Sequence, residues 1–216
     1  MTPVVICLSR SGEATARGVA TALGAVVHGR AGRVDHADAF FANAMAHIRT
    51  LFAARTPIIG VCASGILIRA VAPLLADKRS EPPVVAVAED GLVVVPLLGG
   101  HHGANRLARR IAAALGGHAA VTTAGDVALG VALDEPPPGW RLANPEDAKP
   151  VMAALLGGAE LRIEGDLPWL ADGLMQLAPS LFPAGRGDAG SAVVRLTATT
   201  KPVVGNASHL VFHPQQ

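Results

Sequence analysis

The sequence predicts an α/β fold, a mainly parallel, doubly wound three-layer sheet followed by a small α+β domain. Three observations predict it. Short Val-, Ile- and Leu-rich runs alternate with longer segments of helical period, the pattern of strands buried on both faces between crossover helices. Three consecutive prolines, Pro136–Pro138 in "DEPPPGW", then interrupt the alternation with a stiff connector. Of the 216 residues 50% are hydrophobic and only 16% charged, enough apolar material for a packed core.

The elements follow in order. "VVICLS" (Val4–Ser9) reads as a buried strand, with a helix over Glu13–Leu23 and a second strand at "AVVHG". A helix is expected over His36–Ala53, because Phe40, Ala44, Ile48 and Leu51 recur at three- and four-residue spacing. "PIIGVC" is a strand, and "GILIRAVAPLLA" a helix that Pro73 kinks or ends. "VVAVAE" and "LVVVPLL" are strands joined at Asp90-Gly91, a two-residue hairpin signal. A helix over Ala104–Leu115 and a strand "AAVTT" complete a first domain, residues 1–133. The second, residues 139–216, reads as a strand at Trp140–Ala143 and a helix over Pro145–Leu156 opened by Asn144. The strand "AELRIEG", a loop "FPAGRGDAG" and the strands "SAVVRLTA" and "HLVFHP" follow.

Composition excludes several classes. A formal net charge of +1 and 3% aromatic residues, with no Tyr, provide neither a basic surface nor stacking platforms for nucleic acid. No uninterrupted apolar run reaches the ~18 residues of a membrane span. The N-terminus lacks the pattern of a signal peptide, so a cytoplasmic protein is expected. Two cysteines, Cys7 and Cys62, cannot form a disulfide framework or a Cys-rich zinc site. His28, His36, His47, His118, His209 and His213 show no i,i+4 ligand pair with a third partner, so no protein metal site and no resident cofactor is expected.

In doubly wound sheets ligands bind outside the carboxyl ends of the strands. That rule selects the loops Ser9–Gly12, Ala63–Gly65, Gly99–Gly103 and Thr123–Asp126. Ser9, Ser11 and Gly12 can cradle an anion, although Ser11 can equally cap the following helix. Ser64 and Gly65 open the next helix, and Cys62 precedes them where a thiol pKa can be lowered, although free cysteines are most often packing residues. Arg69, Lys78 and Arg79 follow a strand-end loop and suit carboxylate contacts, whereas Arg106, Arg109 and Arg110 share a solvated helix face. In "GGHHGAN", Gly99, Gly100 and Gly103 permit close backbone approach to a ligand. Side chains at adjacent positions diverge on an extended strand, so His101 and His102 are not expected to ligate one metal together; one can face a site while the other points away or caps. From residue chemistry alone, this stretch is either a site or a polar turn.

The motifs "GILIR", "APLLADKRSEPPVVAVAEDG", "LLGGHHGANRLARRIAAALG" and "VTTAGD" stand in an order that resembles the cobalt-precorrin-5A hydrolase (CbiG) family of cobalamin biosynthesis. "WRLANPEDAKPVMAALL" and "LVFHP" resemble its middle domain, so the chain corresponds to the amino-terminal and middle domains of that family. The resemblance implies hydrolysis of the ring-A lactone of a cobalt-corrinoid, with release of acetaldehyde. An acid-rich macrocycle requires cations and helix N-termini, which Arg69, Lys78, Arg79 and the loops with Ser9, Ser11, Gly12, Ser64, Gly65, Gly99, Gly100, Gly103, Thr122 and Thr123 would provide. His101, which aligns with the motif histidine, becomes the expected acid–base group, Asp126 its partner or an alternative base, and Asn105 a donor to the carbonyl oxygen. Cobalt would belong to the substrate. The same region occurs fused ahead of precorrin-3B C17-methyltransferase, which implies a pathway methyltransferase as a partner. The alternative is a non-catalytic corrinoid-binding or channelling module.

Overall fold

A computed structural model describes residues 2–77, 80–123, 133–134, 136–137, 139–170 and 192–215, with the backbone alone for His101. Two compact units divide the chain, residues 1–121 and 122–216. Leu133 packs in the core of the second unit, so that unit draws on chain upstream of the triproline.

The first unit contains β1 (Val4–Cys7), α1 (Glu13–Leu23), β2 (Val26–Arg30), β3 (Ala39–Phe41), α2 (Ala44–Ala53) and β4 (Ile58–Val61). It continues through α3 (Ser64–Val71), β5 (Val84–Val87), β6 (Val93–Leu98), α4 (Ala104–Leu115) and β7 (His118–Ala119). The seven strands lie in the order β3-β2-β1-β4-β5-β6-β7, all neighbours parallel except β5 and β6. Alternate side chains of the central strands fill two cores. Val5, Cys7, Ile59, Val61, Val85 and Val87 pack under α1 and α4. Val4, Ile6, Ile58, Val84 and Ala86 pack under α2 and α3. The sheet therefore has helices on both faces, as the continuous apolar strand runs require.

Two elements depart from the sequence expectation. The helix expected over His36–Ala53 is β3 followed by α2. Asn43 stops the helix from extending further back, because its side chain accepts from the Ala46 amide as an N-cap. Phe40, counted on the helical stripe, points out of β3 at 54% exposure while Phe41 is buried, the alternation of a strand. The strand expected at "AAVTT" is shorter and earlier, with only His118–Ala119 pairing with β6. Pro73 ends α3 as expected, and a 3₁₀ turn follows over Ala72–Leu74.

The second unit contains β8 (Trp140–Leu142), α5 (Ala148–Leu156), β9 (Glu160–Glu164), β10 (Val193–Ala198) and β11 (His209–Pro214). Its sheet order is β8-β11-β10-β9, with β8 antiparallel to β11 and the other pairs parallel. Val151 and Leu155 of α5 pack on Leu196, Leu210 and Phe212. Asn144 is buried and fully engaged: its amide donates to the His209 carbonyl at 2.9 Å and its oxygen accepts from the Val211 amide at 3.0 Å. The loop expected at "FPAGRGDAG" lies outside the described residues. Among the described residues no helix is long and apolar enough to cross a membrane.

Candidate functional site

The strand order reverses between β1 and β4, and the crevice beyond their carboxyl ends is where a doubly wound sheet ordinarily takes its ligand. Here the hydroxyls of the first loop are engaged within the chain. The Ser9 and Ser11 hydroxyls both donate to the Glu89 carboxylate, Ser11 at 2.6 Å, and Thr15 Oγ1 donates to the Glu89 carbonyl at 2.6 Å. The two serine hydrogen bonds hold the Glu89 carboxyl below its ordinary range. Gly12 is closely packed, since a Cβ there would stand 3.0 Å from Val61 Cγ1 and that side chain would have to give way. Ser11 gives α1 no side-chain cap, because its hydroxyl is turned to Glu89.

The rest of this edge is chemically quiet. Burial, reinforced by Glu89 and Cys7, pushes the Cys62 thiol up to about 12, the opposite of what a nucleophile needs. Arg69 folds onto its own helix and donates to the Gly65 carbonyl at 3.1 Å. Arg10 is paired with Asp35 at 2.6 Å, and Glu13 accepts from the Asp35 amide at 2.6 Å.

The opposite edge carries the histidine loop. Because β6 runs antiparallel to β5, Leu98 at its carboxyl end lies beside Val84 at the amino end of β5. Gly99 is in the left-handed region (φ 71°), and a Cβ on it would fall 2.7 Å from the Pro83 nitrogen and 2.8 Å from the Pro82 carbonyl group. Only glycine fits, for reasons of both conformation and space. A 3₁₀ turn over Gly100–His102 follows, then Gly103 at φ 98°, and α4 begins with its amino end at this edge. The Gly99 carbonyl accepts from the His102 and Ala104 amides at 2.9 and 3.1 Å, which fixes the turn. Asn105, 6% exposed, sits in the first turn of α4. Pro82 also borders a cleft of about 180 Å³ lined by Phe52, Arg55, Leu74, Asp77, Ser80 and Glu81.

The four expected loops therefore do not share one edge. Ser9, Ser11, Gly12, Ser64, Gly65 and Arg69 belong to the carboxyl edge of the parallel strands; Gly99, Gly100, His101, Gly103 and Asn105 belong to the amino edge. The Asp90-Gly91 hairpin reverses β6, which carries its strand-to-helix loop to the other end. Thr122 and Thr123 are exposed and open the second unit. Lys78, Arg79 and Asp126 lie outside the described residues. Arg106, Arg109 and Arg110 are exposed as expected, and Arg110 also donates to the Ala22 carbonyl in the last turn of α1 at 2.6 Å. Among the described residues no group of three or more His, Cys, Asp or Glu is placed to hold a metal. Sequence reasoning missed Glu89; an acid ending a strand of the same sheet as a Ser-rich loop was the available signal.

Comparison with known proteins bears on a segment that reaches both edges of the sheet. Residues 46–126 match the family model described as "Cobalamin synthesis G N-terminal". The chain is 34% identical over 126 residues to a cobalt-precorrin-5A hydrolase of Priestia megaterium, covering 56% of this chain and 34% of that one. It is 45% identical over 98 residues to the cobalt-precorrin-5A hydrolase of Salmonella typhimurium, covering 45% of this chain and 27% of that one. The chain thus spans about a third of the length of these curated relatives. A crystal structure of a cobalamin biosynthesis protein G homologue from Sulfolobus solfataricus aligns over 99% of this chain and 60% of its own, at 17% identity and a TM-score of 0.46. The matched segment runs from α2 through α4 and includes Pro82, Pro83 and the whole Gly99–Asn105 turn, and over that stretch the chain is similar to the cobalamin synthesis G (CbiG) family.

Proposed function

We propose that this chain is the amino-terminal part of a cobalt-precorrin-5A hydrolase and acts in cobalamin biosynthesis on the ring-A lactone of the cobalt-corrinoid, with release of acetaldehyde. The reading rests on one observation above others: the segment that matches the family includes the amino-edge turn, with its two left-handed glycines and the start of α4, while the Ser9 and Ser11 hydroxyls of the carboxyl edge are engaged by Glu89. A polycarboxylate ligand is better placed against a helix amino end than against an exposed carboxylate. In this reading Gly99 and Gly103 bring the His101 backbone close to the macrocycle. His101 takes the proton of the attacking water, with Asp126 as its partner or an alternative base. Asn105 donates to the lactone oxygen as charge develops there. Lys78 and Arg79 pair with peripheral carboxylates. Cobalt travels with the substrate.

The test is acetaldehyde release on incubation with cobalt-precorrin-5A. Wild type should release it, and His101→Ala should abolish release while melting at the wild-type temperature. Full turnover by His101→Ala would remove the histidine from the mechanism. Tight corrinoid binding with no acetaldehyde from wild type would point instead to a binding or channelling module serving a pathway methyltransferase.

A further inference from the structure

His28 and His47 are far apart in the sequence, but the fold joins them. His28 lies on β2, in register with Ile6 of β1 and Ala39 of β3. His47 lies in the first turns of α2. Nδ1 of His28 and Nε2 of His47 stand 2.9 Å apart, and the His47 ring stacks on Phe41 of β3 with centroids 4.5 Å apart and planes 10° from parallel. We infer that this imidazole–imidazole hydrogen bond is an acid-sensitive latch fastening α2 to the β2–β3 edge of the sheet.

A bond between two imidazoles needs one N–H and one lone pair. When both rings are protonated the lone pair is gone and two positive charges face each other. Burial opposes the charged form of both rings, and His28 adds to the opposition at His47. Asp38, from the segment leading into β3, is the charged group facing His28 and partly offsets this. Its own carboxylate is tied to the Val27 amide at 2.7 Å and to Arg17 of α1 at 3.2 Å. The nearby cation of α2, Arg49, is turned away and donates to the Ala70 carbonyl of α3.

The sign follows from the lowered pKa values. The folded pair binds fewer protons than two free imidazoles below about pH 6.5, so the latch is complete above that pH and is lost as pH falls through the folded values. The consequence reaches the amino edge, because Phe52 and Ala53 at the other end of α2 line the cleft beside Pro82.

Amide hydrogen exchange, corrected for intrinsic rates, tests this at about pH 7.5 and about pH 5.5. In wild type the α2 amides around Ile48 should lose roughly tenfold in protection at the lower pH, while those of α1 and α4 keep theirs. His47→Leu should expose α2 already at the higher pH and remove the pH dependence. Equal α2 protection at both pH values, or a pH dependence that survives in His47→Leu, would overturn the latch. If that variant does not fold, NMR titration of the wild-type rings decides: a coupled titration below the ordinary histidine value supports it, and two independent ordinary titrations overturn it.

Discussion

The two edges of the first sheet are made by the same strands, yet they handle their loops in opposite ways. At the carboxyl edge, hydroxyls from the Ser9–Thr15 segment converge on Glu89, so the donors that a ligand would need are used inside the chain. At the amino edge, Gly99 lies against the Pro82–Pro83 backbone and a tight turn presents the start of α4. The difference comes from one hairpin. Had β6 run parallel to β5, its helix-opening loop would have joined Ser9 and Ser64; reversed at Asp90-Gly91, it opens at the far end. A strand-to-helix loop marks a ligand edge only once the direction of its strand is known.

Breaking the amino edge should have the largest effect on stability. Gly99→Ala places a Cβ against Pro82 and Pro83 and forces an L-residue into the left-handed region. The conformational penalty of ~1–2 kcal/mol and the overpacking penalty of ~1–3 kcal/mol together predict a loss of about 2–5 kcal/mol in urea unfolding. Gly116→Ala is the control. Gly116 has φ 69° but nothing within 4 Å of an added Cβ, so it should lose only the conformational part, ~1–2 kcal/mol. Equal losses at the two sites would show that the contact with Pro82 and Pro83 has no energetic weight.

The carboxyl edge should respond less, and differently. Glu89→Gln keeps the shape but weakens two charge-assisted hydrogen bonds. Because Glu89 is exposed, the expected cost is only about 1 kcal/mol. Its carboxyl is held low in the folded state, so its stabilisation is present above the ordinary glutamate range and is lost as pH falls through the folded value. The variant should therefore converge on wild type in strongly acidic buffer. Corrinoid affinity and acetaldehyde release should not change; a loss of either would move the site to this edge.

Much of the fold was legible in the sequence because buried parallel strands read as unbroken Val and Ile runs and Pro73 and Asp90-Gly91 punctuate them. The α2 boundary was not, because "DAFFANAMAHI" fits a helical period until one knows that Asn43 caps it. The partners of the loop residues were less legible than the loops themselves. Gly99 and Gly103 declare a special backbone, but nothing local to Ser9 or Ser11 reveals that Glu89, 80 residues from Ser9, occupies their hydroxyls. Likewise His28 and His47 have no shared spacing, and only the pairing of β2 with β1 and β3 beside α2 brings their rings together. Long-range partners of this kind depend on topology, which periodicity does not encode.

The smallest expected effect concerns Cys62, and it tests how quiet the carboxyl edge is. Position alone favours reactivity, since the residue follows β4 and precedes α3. Burial works against it and wins, because a charged thiolate would lose its hydration while facing the Glu89 carboxylate. With the thiol pushed up to about 12, the thiolate fraction at about pH 8 is on the order of one part in ten thousand. Iodoacetamide should therefore leave Cys62 unmodified in the folded protein over hours and label it once urea unfolds the chain. Cys62→Ala should release acetaldehyde at the wild-type rate. Rapid labelling of the native protein, or loss of turnover in Cys62→Ala, would mean that the buried Cys62 becomes accessible in solution and that the carboxyl edge takes part in the reaction.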